Sequence, residues 1–416
     1  MGNSTYWTNR RRQTRVSVFC ILAIALLLRV VWALVVPVQP VSDSVVYNLL
    51  ARNLAQGVGY CWSPGNPTGY WPVGTSFVYS VFFRVFGEGF ASIVVFNIAI
   101  SLATIWLTMR LARRWFGVRV ALIAGALAAL WPVQIEFTTV LASELIFNLL
   151  LVLLLAVWEQ ERLNPWTKAV LIGLLSAAAC YLRPVGMLLP AILFALTVNR
   201  ERRFLRPALL ATVALLTMAV TIAPWSIRNT RIFGRFELVS TNGGPNFWMG
   251  NNPNGSGGTE DLPADAVKLP EGVRDAYLAN LASNYIRQYP GRFVVRTLNK
   301  VVWLHDHETI GVHWNLAAVT SRFGERGVRR LKLFSDLYWW AVLLLAMAGC
   351  SLVMMRQGMW AFFTAPAVVL WAYFTALYAV LVTQDRYHFP SLPFIGILAA
   401  VALSTLWQKF GPERAA

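Results

Sequence analysis

Apolar runs of about 20 residues recur along this chain, and no other feature restricts its folding so tightly. A run of that length spans a hydrocarbon core of ~30 Å as a helix, the one local structure that bonds all of its own backbone without water. Such runs fall at roughly 16–36, 88–110, 119–134, 139–158, 168–182, 185–198, 207–226, 335–355, 359–381 and 391–409. They predict an all-α polytopic membrane protein with about ten transmembrane helices. Of the 416 residues, 57% are apolar and only 13% charged, about half the charge of an ordinary soluble domain. Soluble enzyme, secreted disulfide scaffold, disordered chain and fibrous repeat are excluded. The four cysteines are scattered, with neither a C-x-x-C pair nor zinc spacing.

The net charge is +17, from 36 Lys+Arg against 19 Asp+Glu. In a soluble protein this excess would suggest nucleic acid; here much of it lies in short loops, so no nucleic-acid partner is expected. Arg10, Arg11, Arg12 and Arg15 precede the first run, which is too long for a signal peptide and lacks a small-residue cleavage pattern. It reads as an anchor with the N-terminus in the cytoplasm. Alternation then puts Arg113, Arg114, Arg200, Arg202, Arg203 and Arg206 inside, while the short outer segments hold only Arg183 and Arg386. This is the positive-inside bias, and it predicts both termini in the cytoplasm. Three regions follow: 1–226, a transmembrane module carrying the outer loop 37–87; 227–334, an outer region with surface helices; and 335–416, the C-terminal transmembrane helices.

In the first outer loop, Ser42-Asp43-Ser44 precedes Val45, Val46, Leu49, Leu50 and Leu54, then Gly57. That pattern predicts a capped amphipathic helix lying on the membrane surface. Residues 75–86 predict a second surface helix. In the second loop, 240–258 reads as a mobile glycine-rich stretch, with helices near 272–289 and 291–304 and a basic amphipathic piece at 322–333.

Most ionisable groups near the spans fall at one level, the outer one: Asp43, Glu136, Glu144, Arg183, Arg228, Asp385, Arg386 and His388, with Asn229 beside them. Charge in hydrocarbon is costly, so this clustering predicts a hydrated cavity there. A carrier of charged solutes would keep such groups at mid-depth instead; Arg29 is the main one inside a span. Asp43 has Tyr47 one turn later and reads as an N-cap or a functional acid. Tyr70 and Trp71 read as an interfacial aromatic belt or a platform for a sugar ring or lipid chain. Glu144 is either functional or the partner of Arg29 or Arg183. Arg183, Arg228 and Arg386 suit phosphate oxygens, or anchor the spans by snorkelling. His305 and His307 are weak metal candidates.

The runs SDSVVYNLLARNLAQGVGY and PTGYWPVGTSFVY, then YLRPVGMLLP, APWSIRNTRIFGRFELVSTNGGPNFWMGNNP, YIRQYPGRFVVRTLNKVVWL and QDRYHFPSLPFIGILAA, resemble bacterial integral-membrane glycosyltransferases of the C-type (GT-C) fold. These include protein O-mannosyltransferases and the lipid A aminoarabinose transferase. The resemblance covers most of the chain in order. It implies an inverting glycosyltransferase of the bacterial plasma membrane, working on the outer face with a polyprenyl-phosphate sugar donor and a glycan, lipid or protein acceptor. It also implies Asp43 as general base and Glu144 as a second acidic position, expected to be catalytic; the residue chemistry adds Arg183, Arg228 and Arg386 on the donor phosphate, and Tyr47, Tyr70, Trp71, Asn229 and His388 on substrate. The sequence departs from the protein mannosyltransferases at Ser44, where they carry a second acid, and at Pro72-Val73, where a Pro-Pro pair is usual. Cofactors are therefore left open, a divalent metal among them. The chain closes after its last apolar run, so the soluble C-terminal domain of some members is not expected. A polymerase or ligase of lipid-linked glycans, and more distantly a transporter, are the competing readings.

Overall fold

The structure is a computed structural model that describes residues 2–410, with side chains described for 13–409. The last few residues of the expected cytoplasmic tail lie outside this range. Among the described residues six helices are long and apolar enough to cross a membrane: Gln13–Val35, Ala91–Phe116, Pro165–Leu182, Leu205–Phe233, Leu316–Gln357 and Asp385–Lys409. A bent pair, Val118–Leu130 and Pro132–Thr139, makes a seventh, and Glu144–Trp158 and Pro366–Val380 are shorter apolar helices. The expected count of about ten is therefore not reached by full-length helices. The run at 185–198, for example, becomes a tight turn at Pro184–Leu188 followed by the helix Leu189–Glu201, whose 13 residues reach only about 20 Å.

The bend of 58° in the seventh span has a local cause. Pro132 supplies no N–H and forces Trp131 out of the helical region, to φ −68° and ψ 116°. Carbonyls of the last turn are thereby left without helical partners. Arg29 fills this gap. Its guanidinium donates to the carbonyls of Ala128 and Ala129, to Ala25 O, and to Ser101 Oγ. Arg29, buried within the first span, is thus a polar staple between three helices, and it is not the partner of Glu144.

The last helix, Leu392–Phe410, is buried along most of its length and forms the centre of the packing. Gly349 of Leu316–Gln357 lies against it; a Cβ there would come within 2.0 Å of Leu398 O. The expected amphipathic piece at 322–333 is part of that 42-residue helix, kinked at Gly324 where φ is 63°.

The expected surface helices form as Asp43–Ala55, Gly74–Phe86, Glu271–Gln288 and Pro290–Trp303. One expectation fails here. Residues 240–258 are not a loose loop, because Gly243–Asn251 is helical. Its glycines permit contact: a Cβ on Gly244 would meet Asp275 O at 1.9 Å, and one on Gly250 would meet Leu381 O at 2.4 Å. Composition showed the glycines but not the backbone pressed against them. At the opposite ends of the spans, Arg114 and Arg200 gather around Glu159.

Candidate active site

Asp43 opens the helix Asp43–Ala55, preceded by Ser42 at φ 50°. A serine in the left-handed region is strained, by about 1–3 kcal/mol. Ser42 makes no capping bond through its side chain, and Asp43 is drawn to a different partner. Its Oδ2 accepts from Arg386 Nη2 at 2.8 Å. The N-cap reading of Asp43 thus gives way to an ion pair with the far end of the chain.

The pair continues inward. Arg386 Nε lies 3.6 Å from Glu144 Oε1, and the same oxygen lies 3.1 Å from Arg183 Nη1. Four charges alternate in sign, and the cluster is neutral as a whole. Local sequence explains their placing. Glu144 is in the first turn of its helix. Arg183 precedes Pro184 and is extended (φ −150°), which ends the helix Pro165–Leu182 and turns the side chain out of it. Arg386 sits in the tight turn Asp385–Ser391. Aromatic rings support both guanidiniums: Tyr378 and Tyr387, stacked 4.7 Å apart, flank Arg183, and Trp314 lies 4.9 Å from Arg386.

This cluster borders a cavity of about 690 Å³. Asp43, Arg183 and Arg386 line it, as do Tyr47, Tyr70 and Trp71. Glu144 does not line it. Its side chain is 1% exposed, against 24% for Asp43. Glu144 therefore stands behind the two arginines and holds them, while Asp43 alone among the acids of the cluster can meet a substrate. Its expected place among the catalytic acids is not on the cavity surface, which it reaches through Arg183 and Arg386. Burial and nearby Asp43 hold the Tyr47 phenol well above its ordinary pKa, so it stays protonated.

Three further expectations do not reach the cavity. Arg228 donates to Thr68 O and Tyr60 O and stacks on Trp225, clamping the 60–70 strap onto the helix Leu205–Phe233. Asn229 accepts from Arg228 and donates to Val239 O. His388 is buried between Leu304 O and Glu308 and stacks on Trp339 at 4.1 Å. Each is bonded to protein groups. The weak metal candidates are also separated: His305 uses one ring nitrogen on Val301 O and the other on Trp371 Nε1, while His307 pairs with Asp306. Among the described residues no group of three potential ligands comes together.

Arg274, Trp62, His313, Trp314, Tyr378 and Tyr387 line the cavity as well, and sequence reasoning missed them. Tyr387 stood beside Arg386 in QDRYHFP and could have been found there. Arg274 lies in an ordinary amphipathic helix and carried no signal.

Comparison with known proteins fits this geometry. The fold is that of the C-type integral-membrane glycosyltransferases, as the sequence resemblance implied. The match to the oligosaccharyltransferase of Archaeoglobus fulgidus in its apo form has a TM-score of 0.58 at 14% identity, over 96% of this chain and 51% of that one. The same enzyme, AglB, in complex with an inhibitory peptide and a dolichol-phosphate, matches with a TM-score of 0.52 at 13% identity, over 98% and 51%. ArnT from Cupriavidus metallidurans bound to undecaprenyl phosphate matches with a TM-score of 0.43 at 17% identity, over 95% and 81%. The chain thus spans about half the length of the oligosaccharyltransferases it matches. In sequence, residues 71–227 match the family of dolichyl-phosphate-mannose-protein mannosyltransferases. No curated protein sequence matches significantly.

Proposed function

We propose that this protein is an inverting glycosyltransferase that moves a sugar from a polyprenyl-phosphate donor to an acceptor hydroxyl on the outer face of a bacterial plasma membrane. The observation that carries the proposal is the Asp43–Arg386 pair on the wall of a large cavity in a protein of this fold. A protein of the same fold has been solved with dolichol-phosphate, which supports a lipid-borne donor. The arginine bias of the short loops supports the outward orientation.

The chemistry follows from the charges. A polyprenyl phosphosugar carries one negative charge on its phosphodiester. As the acceptor oxygen bonds to the anomeric carbon, the bond from that carbon to the phosphate oxygen breaks, and the acceptor proton passes to Asp43. The departing polyprenyl phosphate gains a negative charge while Asp43 loses one. Arg386, bonded to Asp43 at the outset, is then free to serve the phosphate. One guanidinium thus stabilises charge wherever it stands during the reaction. A single front-to-back displacement inverts the sugar. The base contributes a factor of roughly 10²–10⁴ in rate.

Mass analysis of surface glycans and lipids, with and without the gene, would identify the sugar and acceptor. Restoring the gene as Asp43→Asn keeps shape and removes the base. The expected result is a folded protein at wild-type level and no transferred sugar; full restoration of the sugar would refute the assignment.

A further inference from the structure

We infer that the cavity contains a second anion subsite, formed by Arg274 with Tyr70, which takes a phosphate or carboxylate other than the one facing Arg183 and Arg386. The inference rests on the transferase reading of the same cavity and assigns it a substrate feature: one further acidic group. That group is either an acid on the acceptor sugar or the second phosphate of a polyprenyl diphosphate.

The argument begins with unused donors. Arg183 and Arg386 are both ion-paired. Arg274 also lines the cavity, yet among the described residues its side chain makes no hydrogen bond and no ion pair, and its Nε is buried without a hydrogen-bond partner. Its guanidinium lies 5.5 Å from the centre of the Tyr70 ring, which holds the planar fork in place. The acids nearby are engaged elsewhere. Glu271 accepts from Thr68, Gly69 and Thr241; Asp275 accepts from Gly244 N; Glu260 accepts from Asn252 and Ser256. A guanidinium fixed on a cavity wall with vacant donors is suited to a bidentate oxyanion.

Tyr70 connects the two subsites. Its hydroxyl is pushed up to about 12, by burial first, with Asp43 and Glu271 raising it and Arg274 opposing them. It therefore stands within electrostatic reach of both the reacting carboxylate and Arg274. Asp261, also on the wall, would repel a bare anion but would accept from the hydroxyls of a sugar that carries one.

The test uses the full chain in nanodiscs, with intrinsic tryptophan fluorescence as the readout. Probes are undecaprenyl phosphate, undecaprenyl diphosphate, and glucuronate and glucose 6-phosphate against glucose, the soluble sugars with and without saturating undecaprenyl phosphate. If the acid belongs to the acceptor, Arg274→Ala weakens the acidic sugars by about tenfold or more and leaves glucose unchanged. If it belongs to the donor, the wild type prefers the diphosphate to the monophosphate, and Arg274→Ala abolishes that preference. In both cases undecaprenyl monophosphate binds the variant as it binds the wild type. Arg274→Lys, which keeps the charge and loses the fork, guards against misfolding of the alanine variant and falls between the two. Equal binding of every acidic probe by wild type and both variants overturns the inference, as does an equal loss of the monophosphate. Failure of the wild type to bind undecaprenyl phosphate would count against the transferase reading, while the soluble sugars would still report on Arg274.

Discussion

Replacing Glu144 by Gln separates a positioning role from a catalytic one, because the two predict opposite signs. The substitution keeps the side-chain volume and removes one charge from the Asp43–Arg386–Glu144–Arg183 chain. Glu144 Oε1 faces Arg183 at 3.1 Å and Arg386 at 3.6 Å. At an effective dielectric constant near 20, each contact is worth about 5 kcal/mol of gross attraction. Removing one partner of a buried pair costs about 3–5 kcal/mol net. The unliganded variant should therefore unfold several degrees below the wild type in a fluorescence melting experiment. The cluster would also change from neutral to +1. An incoming phosphate restores the balance, so undecaprenyl phosphate should stabilise the variant more than it stabilises the wild type, with up to about tenfold tighter binding, a change of about 1.4 kcal/mol. A variant with wild-type melting temperature and unchanged stabilisation by the lipid would refute this account of the cluster.

Two further outcomes are expected. Gly244→Ala puts a methyl group 1.9 Å from Asp275 O, so the helices Gly243–Asn251 and Glu271–Gln288 must separate, at a cost of about 1–3 kcal/mol in thermal unfolding; Gly291→Ala, in open space, is the control and should leave stability unchanged. Burial lowers the pKa of His305 from 6.5 to about 4, outweighing the hydrogen bond to Val301 O and the nearby Asp306. Between those values the unfolded chain binds a proton that the folded one does not, so this residue makes stability fall as pH drops from 6.5 to 4; a His305→Gln variant should show a flatter melting profile over that window, and an unchanged profile would count against it.

Some of the helices between the spans were legible because their signals are local. Asp43–Ala55 and Pro290–Trp303 follow from apolar spacing bounded by glycine or proline. The class of membrane protein followed from run length and low charge. The arginines were legible as a set but not one by one. Arg183, Arg228 and Arg386 looked alike in sequence, each near a proline and the end of an apolar run. The fold gave Arg228 backbone carbonyls to hold and gave the other two a shared carboxylate.

The amino-acid order by itself determined that this chain is built from apolar helices long enough for a membrane, and which end of them gathers ionisable groups. Burial of apolar length and avoidance of bare backbone in lipid act through near neighbours, so they can be read along the chain. The tertiary structure alone decided that Asp43 meets Arg386, 343 positions away, that Glu144 stands behind the cavity wall, and that the Arg274 side chain was left on it with no hydrogen bond or ion pair among the described residues. Those outcomes depend on which charged groups the packing brings within a few ångströms, and distance in space is not written in the local pattern.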